Sequence, residues 1–358
     1  MPPNNSLQLT GPAAEKRLIR KRIRLARQLS SEPLGGHCVD MRIHLDTDFG
    51  GDPDDACALA LLLGWHGAEV VGITTCLDAG GQRAGCVAHY LGLAGHSGIP
   101  VAAGAGATLT KLDRHLSTAG DPRYWPDPVG PAPSPPGTAM DLIWRSVDQG
   151  ALIIAIGPAT NLALLEIARP GSLNEATVVF MGGWICPPAA GLPEWGPEMD
   201  WNTQADTQAA MILAATAKLT LVTLPATLKA HLRASHLGRL RTSGPVGELL
   251  AQQSEVHAFD NHMAELGRAY PGLPDDLVNF HYDPVTCAVG LGWHGARVDE
   301  MRLQAQFQDG VLRFQQSEHG RVTRVVTDVD GDGFAELWLS TIEALRSTGD
   351  PPGRPTTR

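Results

Sequence analysis

From residue 41 onward the chain alternates short β-rich runs with helical patterns, and this alternation narrows the fold more than any other feature. Residues 43–45, 70–73, 153–155, 177–181 and 219–224 read as strands, while 54–64, 83–95, 159–168 and 205–217 read as helices. Repeated β-α units imply an α/β fold, with a mostly parallel central sheet and helices on both faces. Residues 107–138 are rich in Pro, Gly and polar side chains and read as a long loop. Residues 232–277 look helical between Gly/Pro breaks and read as an added helical cap region. No internal repeat or low-complexity block interrupts this pattern.

The ends read differently. Residues 1–40 carry seven basic and three acidic side chains, the basic ones all between Lys16 and Arg27. They are expected to form a disordered basic extension, with Met41 a candidate natural start. Residues 41–348 then form a single domain and 349–358 a Pro/Gly-rich tail. With 43% hydrophobic and 18% charged residues in a chain of 358, the composition is globular. A net charge of -10 argues against nucleic acid or an anionic membrane as the main partner. No apolar stretch reaches the ~20 residues of a membrane span. The six Cys contain no C-x-x-C pair, so neither a zinc ribbon nor a disulfide scaffold is indicated, and a reducing, cytoplasmic setting is the simpler expectation.

In parallel sheets ligands sit beyond the carboxyl ends of the strands, and the chemistry is expected there. Five of the ten residues from Asp46 to Asp55 are carboxylates, directly after the first strand and before an apolar helix. Like charges this close raise one another's pKa, and a chain tolerates them when a cation neutralises the cluster. All-oxygen ligands suit a hard cation, Ca²⁺ or Mg²⁺. Pro53 fits a first helical turn, and Asp52 is a candidate N-cap. Capping alone would need one or two acids, not five. A distant acid, Asp283, stands in His281-Tyr282-Asp283-Pro284, where an N-cap role is the plain alternative. Asp200-Trp201-Asn202 combines acid, aromatic and amide side chains, a set that can bind sugar hydroxyls and stack on a ring. The run Asp328-Val329-Asp330-Gly331-Asp332-Gly333 imitates a calcium loop, but its twelfth position is Leu339 instead of Glu. No H-E-x-x-H pattern suggests a zinc hydrolase.

Four motifs in one order, Asp46-Thr47-Asp48 … Asp54-Asp55-Ala56, the segment from Ala155 to Asn161, Met181-Gly182-Gly183 … Asp200-Trp201-Asn202 and Tyr282-Asp283-Pro284, resemble the inosine/uridine-preferring nucleoside hydrolase family. The resemblance extends from Met41 to about Gly349. It implies hydrolysis of the N-glycosidic bond of ribonucleosides to ribose and free base, with one bound Ca²⁺, a Rossmann-like fold and a homo-oligomer, dimer or tetramer. It also implies that Asp48, Asp55, Asp283 and the backbone carbonyl of Ile156 hold the metal, and that Asp48 is the general base. Asp54, Asp200, Asn202 and Asp283 would bind substrate, with Trp201, Trp184 or Trp195 against the base. Such a reaction passes through an oxocarbenium-like sugar, which a carboxylate-rich pocket stabilises.

The sequence departs from the family pattern in places. The Asp loop is two residues longer than D-x-D-P-G-x-D-D, leaving Asp52 and Asp54 as alternatives for the ribose contact. Asp78 stands near the place of a usual Asn, and Asp200 replaces a usual Glu. Tyr282 occupies the place of a proton-donating His, with His281 one residue earlier, so either is a candidate acid for the leaving base. A catalytically silent nucleoside-binding relative and a Mg²⁺-dependent haloacid dehalogenase-type phosphohydrolase are the competing readings. The second lacks Thr or Val at the fifth position of its motif, where Gly50 stands.

Overall fold

A computed structural model of the protein describes residues 41–110 and 118–349. The expected basic extension, the tail beyond Gly349 and part of the long loop lie outside the described residues. Strand β1 (Met41–Thr47) runs into helix α1 (Asp54–Gly64), followed by β2 (Ala68–Thr75), α2 (Gln82–Leu93) and β3 (Val101–Ala103). After the loop come α3 (Thr138–Asp148), β4 (Leu152–Ala155), α4 (Thr160–Ala168) and β5 (Thr177–Met181). Next are α5 (Trp201–Ala205), α6 (Thr207–Thr216), β6 (Lys218–Val222) and α7 (Leu224–Thr227).

The sheet order is β10-β9-β11-β6-β5-β4-β1-β2-β3, where β9 (Ala296–Gln308), β10 (Val311–Gln316) and β11 (Arg321–Val329) close the chain before helix α12 (Gly331–Gly349). Every pair from β11 to β3 is parallel, whereas β9 runs antiparallel to both β10 and β11. From β1 the chain steps outward through β2 and β3, then returns to β4 on the other side of β1. That reversal opens a crevice beyond the ends of β1 and β4, where a doubly wound sheet binds its ligand.

Alternate strand residues feed two hydrophobic layers, as the period of two requires. Ile154 and Val179 join α1, α12 and the cap on one face, while Ile153, Val178 and Phe180 join α4 and α6 on the other. The mostly parallel sheet with helices on both faces therefore stands as the sequence implied.

Several local expectations are corrected. The expected helix over 205–217 is two helices, because Asp206 leaves helical geometry and accepts Ala209 N–H at 3.2 Å. The strand expected to reach 224 stops at Val222, and Pro225 opens α7. Strands β3, β9 and β10 and helix α3 were not foreseen, nor was the strand β11 ahead of α12. A turn signal for the β9–β10 hairpin was present in Asp309-Gly310, which take φ of 52° and 81° as a two-residue hairpin turn requires. The calcium-loop imitation resolves into an ion pair and a helix start: Asp328 pairs with Lys229 at 2.5 Å, and Asp330 accepts Gly333 N–H at 3.0 Å.

The cap is helical, as α8 (Leu237–Arg241), α9 (Gly244–Asp260) and α10 (Met263–Ala269), but it rises from an antiparallel ribbon of β7 (His231–Arg233) and β8 (Leu277–Phe280). Helix α11 (Tyr282–Gly290) follows β8 at once. The described part of the long loop ties the cap to the crevice. Thr118 N–H donates to the Gly50 carbonyl at 2.7 Å, and Arg123 pairs with Asp260 of α9 at 2.8 Å. Among the described residues, no helix is long and apolar enough to cross a membrane.

Candidate active site

The acidic loop gains its shape from its own side chains. Thr47, the last residue of β1, donates its hydroxyl to the Asp55 carboxylate and accepts Phe49 N–H at 3.1 Å. Gly50 turns the chain at φ 86°. Asp52 Oδ1 accepts Asp54 N–H at 3.1 Å, so it caps the turn before α1, whose N-cap position is held by Pro53. Asp52 Oδ1 also accepts Asn279 Nδ2 at 2.6 Å, and Oδ2 lies 3.6 Å from His257 Nε2, which draws this side chain toward the cap. Gly157 follows β4 and must be glycine, because a Cβ there would stand 2.7 Å from Asp48 N. The two strand ends at the switch point can then meet.

Their meeting forms a cavity of about 470 Å³. Asp48, Asp52, Asp54, Asp55, Asp200 and Asp283 all line it, together with Ile156, Asn202 and Tyr282. One carboxylate oxygen each from Asp54, Asp55 and Asp283 lies within 4.8 Å of the others, all three buried. Burial and mutual repulsion push these three carboxyls well above the ordinary carboxylate range. Three buried acids with only oxygen donors fit a hard divalent cation, which removes the repulsion. Asp54, foreseen as a sugar contact, enters this tight trio, while Asp48 stands beside it. Burial also raises Asp48, offset by the nearby Arg83 guanidinium and by Trp201 Nε1, which donates at 3.3 Å.

The remaining foreseen residues separate into those that reach the cavity and those that support it. Asp200 caps α5 by accepting Thr203 N–H at 3.3 Å, and it accepts Gly183 N–H at 2.6 Å. Asn202 Nδ2 donates to the carbonyls of Ile156 and Met181, both at 3.1 Å, which fixes the amide across the strand ends. Trp195 and Trp201 line the cavity. Trp184 does not, and its Nε1 donates to the Trp195 carbonyl at 2.8 Å. Trp195 meets Phe280 edge-on at 5.7 Å, and Phe280 stacks on Tyr282 at 5.3 Å, so one wall is aromatic.

His281 and Tyr282 go to opposite sides. The Tyr282 ring faces the cavity, and burial with the field of Asp52, Asp54 and Asp283 pushes its phenol well up, so it stays protonated. The His281 ring lies 4.6 Å from Trp338 and 5.4 Å from Phe334, outside the cavity wall, and burial lowers its pKa to about 3. The structure therefore does not bring His281 to the reacting centre.

Two residues of the expected motifs act from behind. Asp46 Oδ1 accepts Thr74 Oγ1 and Asn161 Nδ2, and burial raises its pKa to about 7. Asp78 accepts Thr75 Oγ1 at 2.8 Å, Arg83 N–H at 3.1 Å and Ala84 N–H at 2.9 Å, capping α2 instead of facing the cavity. Sequence reasoning missed Arg83, the one basic side chain among the described residues on the cavity wall. Its signal was faint: a single Arg at the start of a helix of small residues.

Comparisons with known proteins agree with this geometry. Residues 43–336 match the family described as inosine-uridine preferring nucleoside hydrolase. The pyrimidine-specific ribonucleoside hydrolase RihA of Salmonella paratyphi C is 33% identical over 320 residues, spanning 82% of this chain and 96% of the relative. The plant nucleoside hydrolase PpNRh1 superposes with a TM-score of 0.71 at 21% identity, covering 85% of this chain and 99% of its own. The purine-preferring ribonucleoside hydrolase from Gardnerella vaginalis gives 0.70 at 22% identity, covering 86% and 100%. At these identities the two structures speak to the fold alone.

Proposed function

The chain belongs to the inosine-uridine preferring nucleoside hydrolase family, and from that premise we propose that it hydrolyses the N-glycosidic bond of ribonucleosides to ribose and free base. The observation that carries this reading is the buried trio of Asp54, Asp55 and Asp283 on the wall of a cavity that also holds Asp48. Asp48, Asp55 and Asp283 with the Ile156 carbonyl would hold Ca²⁺, and Asp54 is close enough to share that task. The cation, when bound, supplies charge compensation and acidifies a water in its shell.

The chain's own groups supply the rest. Asp48 accepts a proton from the attacking water as the water oxygen bonds to C1′. Asp54, Asp200 and Asn202 orient the ribose hydroxyls, which turns a bimolecular attack into an oriented one. The surrounding carboxylates favour the positive charge that develops on the sugar. Trp201 and the Trp195–Tyr282 wall offer flat surfaces for the base. Because a curated relative is named pyrimidine-specific, uridine and cytidine are the first substrates to try.

The test is release of free ribose from a panel of purine and pyrimidine ribonucleosides, with and without a calcium chelator. Chelator-sensitive release is expected. Asp48→Asn should lower kcat by about 10²-fold or more, the scale of a lost acid–base group, without unfolding the protein. Near-wild-type turnover by this variant would remove Asp48 as the base. Nucleoside binding without turnover by the parent protein would instead identify a silent relative.

A further inference from the structure

The Asp48 carboxylate is held at both of its oxygens. An added Cβ on Gly157 would stand 2.9 Å from Oδ1, so the chain leaving β4 crowds that oxygen. Oδ2 accepts the indole N–H of Trp201 at 3.3 Å. Trp201 is the one side chain among the described residues that donates a hydrogen bond to this carboxylate. The Arg83 guanidinium, also on the cavity wall, directs its bonds to backbone carbonyls instead, those of Leu77, Asp48 and Phe49.

Trp201 is 51% exposed, yet its backbone is firmly placed. It opens α5 between two pinned residues. Asp200 before it accepts Gly183 N–H at 2.6 Å and Thr203 N–H at 3.3 Å. Asn202 after it donates to the carbonyls of Ile156 and Met181. The indole therefore stands on a backbone tied to the ends of β4 and β5, and it reaches Asp48 across 153 positions of sequence. An indole N–H is a donor only, so it orients a carboxylate without competing for a proton. Phe would cover the same surface, but only the indole carries that donor.

We propose that Trp201 is a positioning residue for the general base: its indole N–H holds Oδ2 and, with Gly157 against Oδ1, fixes the rotation of the Asp48 carboxylate. This rests on the hydrolase reading above, in which Asp48 takes the proton of the attacking water. The torsion about Cβ–Cγ of an aspartate is broad, and a carboxylate free to turn meets the proton with a lone pair only part of the time. Held at both oxygens, it keeps one orientation before the water arrives, and its reorganisation is no longer part of the barrier. The N–H acts on the chemical step and not on the binding of ribose, so its effect belongs to kcat. That contribution is separate from any contact between the ring face and the nucleobase.

The experiment measures kcat and KM on the ribonucleoside that the parent turns over fastest, in the parent, Trp201→Phe, Asp48→Asn and the double variant. Melting temperatures with and without calcium are followed alongside. Trp201→Phe keeps an aromatic ring and removes the donor. It should lower kcat by about tenfold, the scale of one lost hydrogen bond, with KM within about twofold of the parent. In the Asp48→Asn background the same change should cost under about twofold, because no base remains to be oriented. The melting temperature and its response to calcium should match the parent's. A kcat within about twofold of the parent, whatever KM does, would overturn the proposal, since the ring would then at most bind substrate. Equal fold losses in the two backgrounds, or a lost calcium response in Trp201→Phe, would overturn it as well, because Trp201 would then act without Asp48 or merely prop the acidic loop. If the parent protein released ribose from no ribonucleoside, the hydrolase reading itself would fall and this proposal with it.

Discussion

A buried carboxyl persists by being hydrogen-bonded, protonated or paired with a cation, and the buried carboxyls of this molecule divide between well hydrogen-bonded ones and a crowded cluster. Asp200 receives two backbone N–H groups, and Asp46 receives Thr74 and Asn161. Asp54, Asp55 and Asp283 crowd one another instead, and burial with mutual repulsion raises all three, a set of oxygen donors that fits a cation. His281 illustrates the opposite case, a titratable group beside a motif but outside the cavity lining. Its buried Nε2 has no hydrogen-bond partner among the described residues, and its ring packs on Trp338 and Phe334. Replacing it by an apolar ring removes that unsatisfied group at small cost in volume. His281→Phe is therefore expected to keep kcat within about threefold of the parent. A loss approaching that of Asp48→Asn in steady-state assays would restore His281 as an acid.

At the scale of elements, α1 is the piece on which the site depends. It carries Asp54 and Asp55 in its first turn and is buried from Asp54 to Leu62. Its backbone is held from the far side by α12, where the buried Trp338 donates Nε1–H to the Cys57 carbonyl at 3.0 Å. The terminal helix thus fixes the angle at which the two aspartates enter the cavity. Trp338→Ala should destabilise the protein by about 3–5 kcal/mol, the range for deleting a large buried ring. Denaturant melts would measure this, and a change under about 1 kcal/mol would show that α12 is not a support of the site.

For the whole molecule the governing feature is charge compensation at the switch point. The folded-state pKa values of Asp54, Asp55 and Asp283 lie above their ordinary 3.8. Above that value the metal-free fold binds more protons than the unfolded chain, so this contribution to stability falls as pH rises through the folded pKa values. A bound cation neutralises the cluster and removes the penalty. Protons also compete with the cation at low pH. Both effects have the same sign: chelation should lower Tm more at about pH 8 than at about pH 5. The lowered pKa of His281 is common to loaded and chelated protein and cancels in the comparison. Thermal melts at the two pH values test this, and a gap that stayed constant or widened in acid would place the cation elsewhere.

The layered α/β plan and most of the residues lining the cavity are legible in local sequence pattern. Periods of two and of 3.6 are local signals, and five aspartates in ten residues cannot be hidden by context. The hairpin of β9 and β10 was less legible because β9 is mostly polar and β10 is a short strand with only Leu312 and Phe314 buried. Which of two adjacent rings, His281 or Tyr282, faces the cavity was settled by the tertiary structure, since both stand where a strand passes into a helix and neither the strand's period of two nor the helix's 3.6 applies cleanly. It alone showed that Asp52 turns toward the cap and Asp54 toward Asp55 and Asp283. It also brought Arg83 of α2 onto the carbonyls of Asp48 and Phe49, residues 35 and 34 positions away. Contacts across such separations are set by packing of the whole sheet, and no local pattern encodes them.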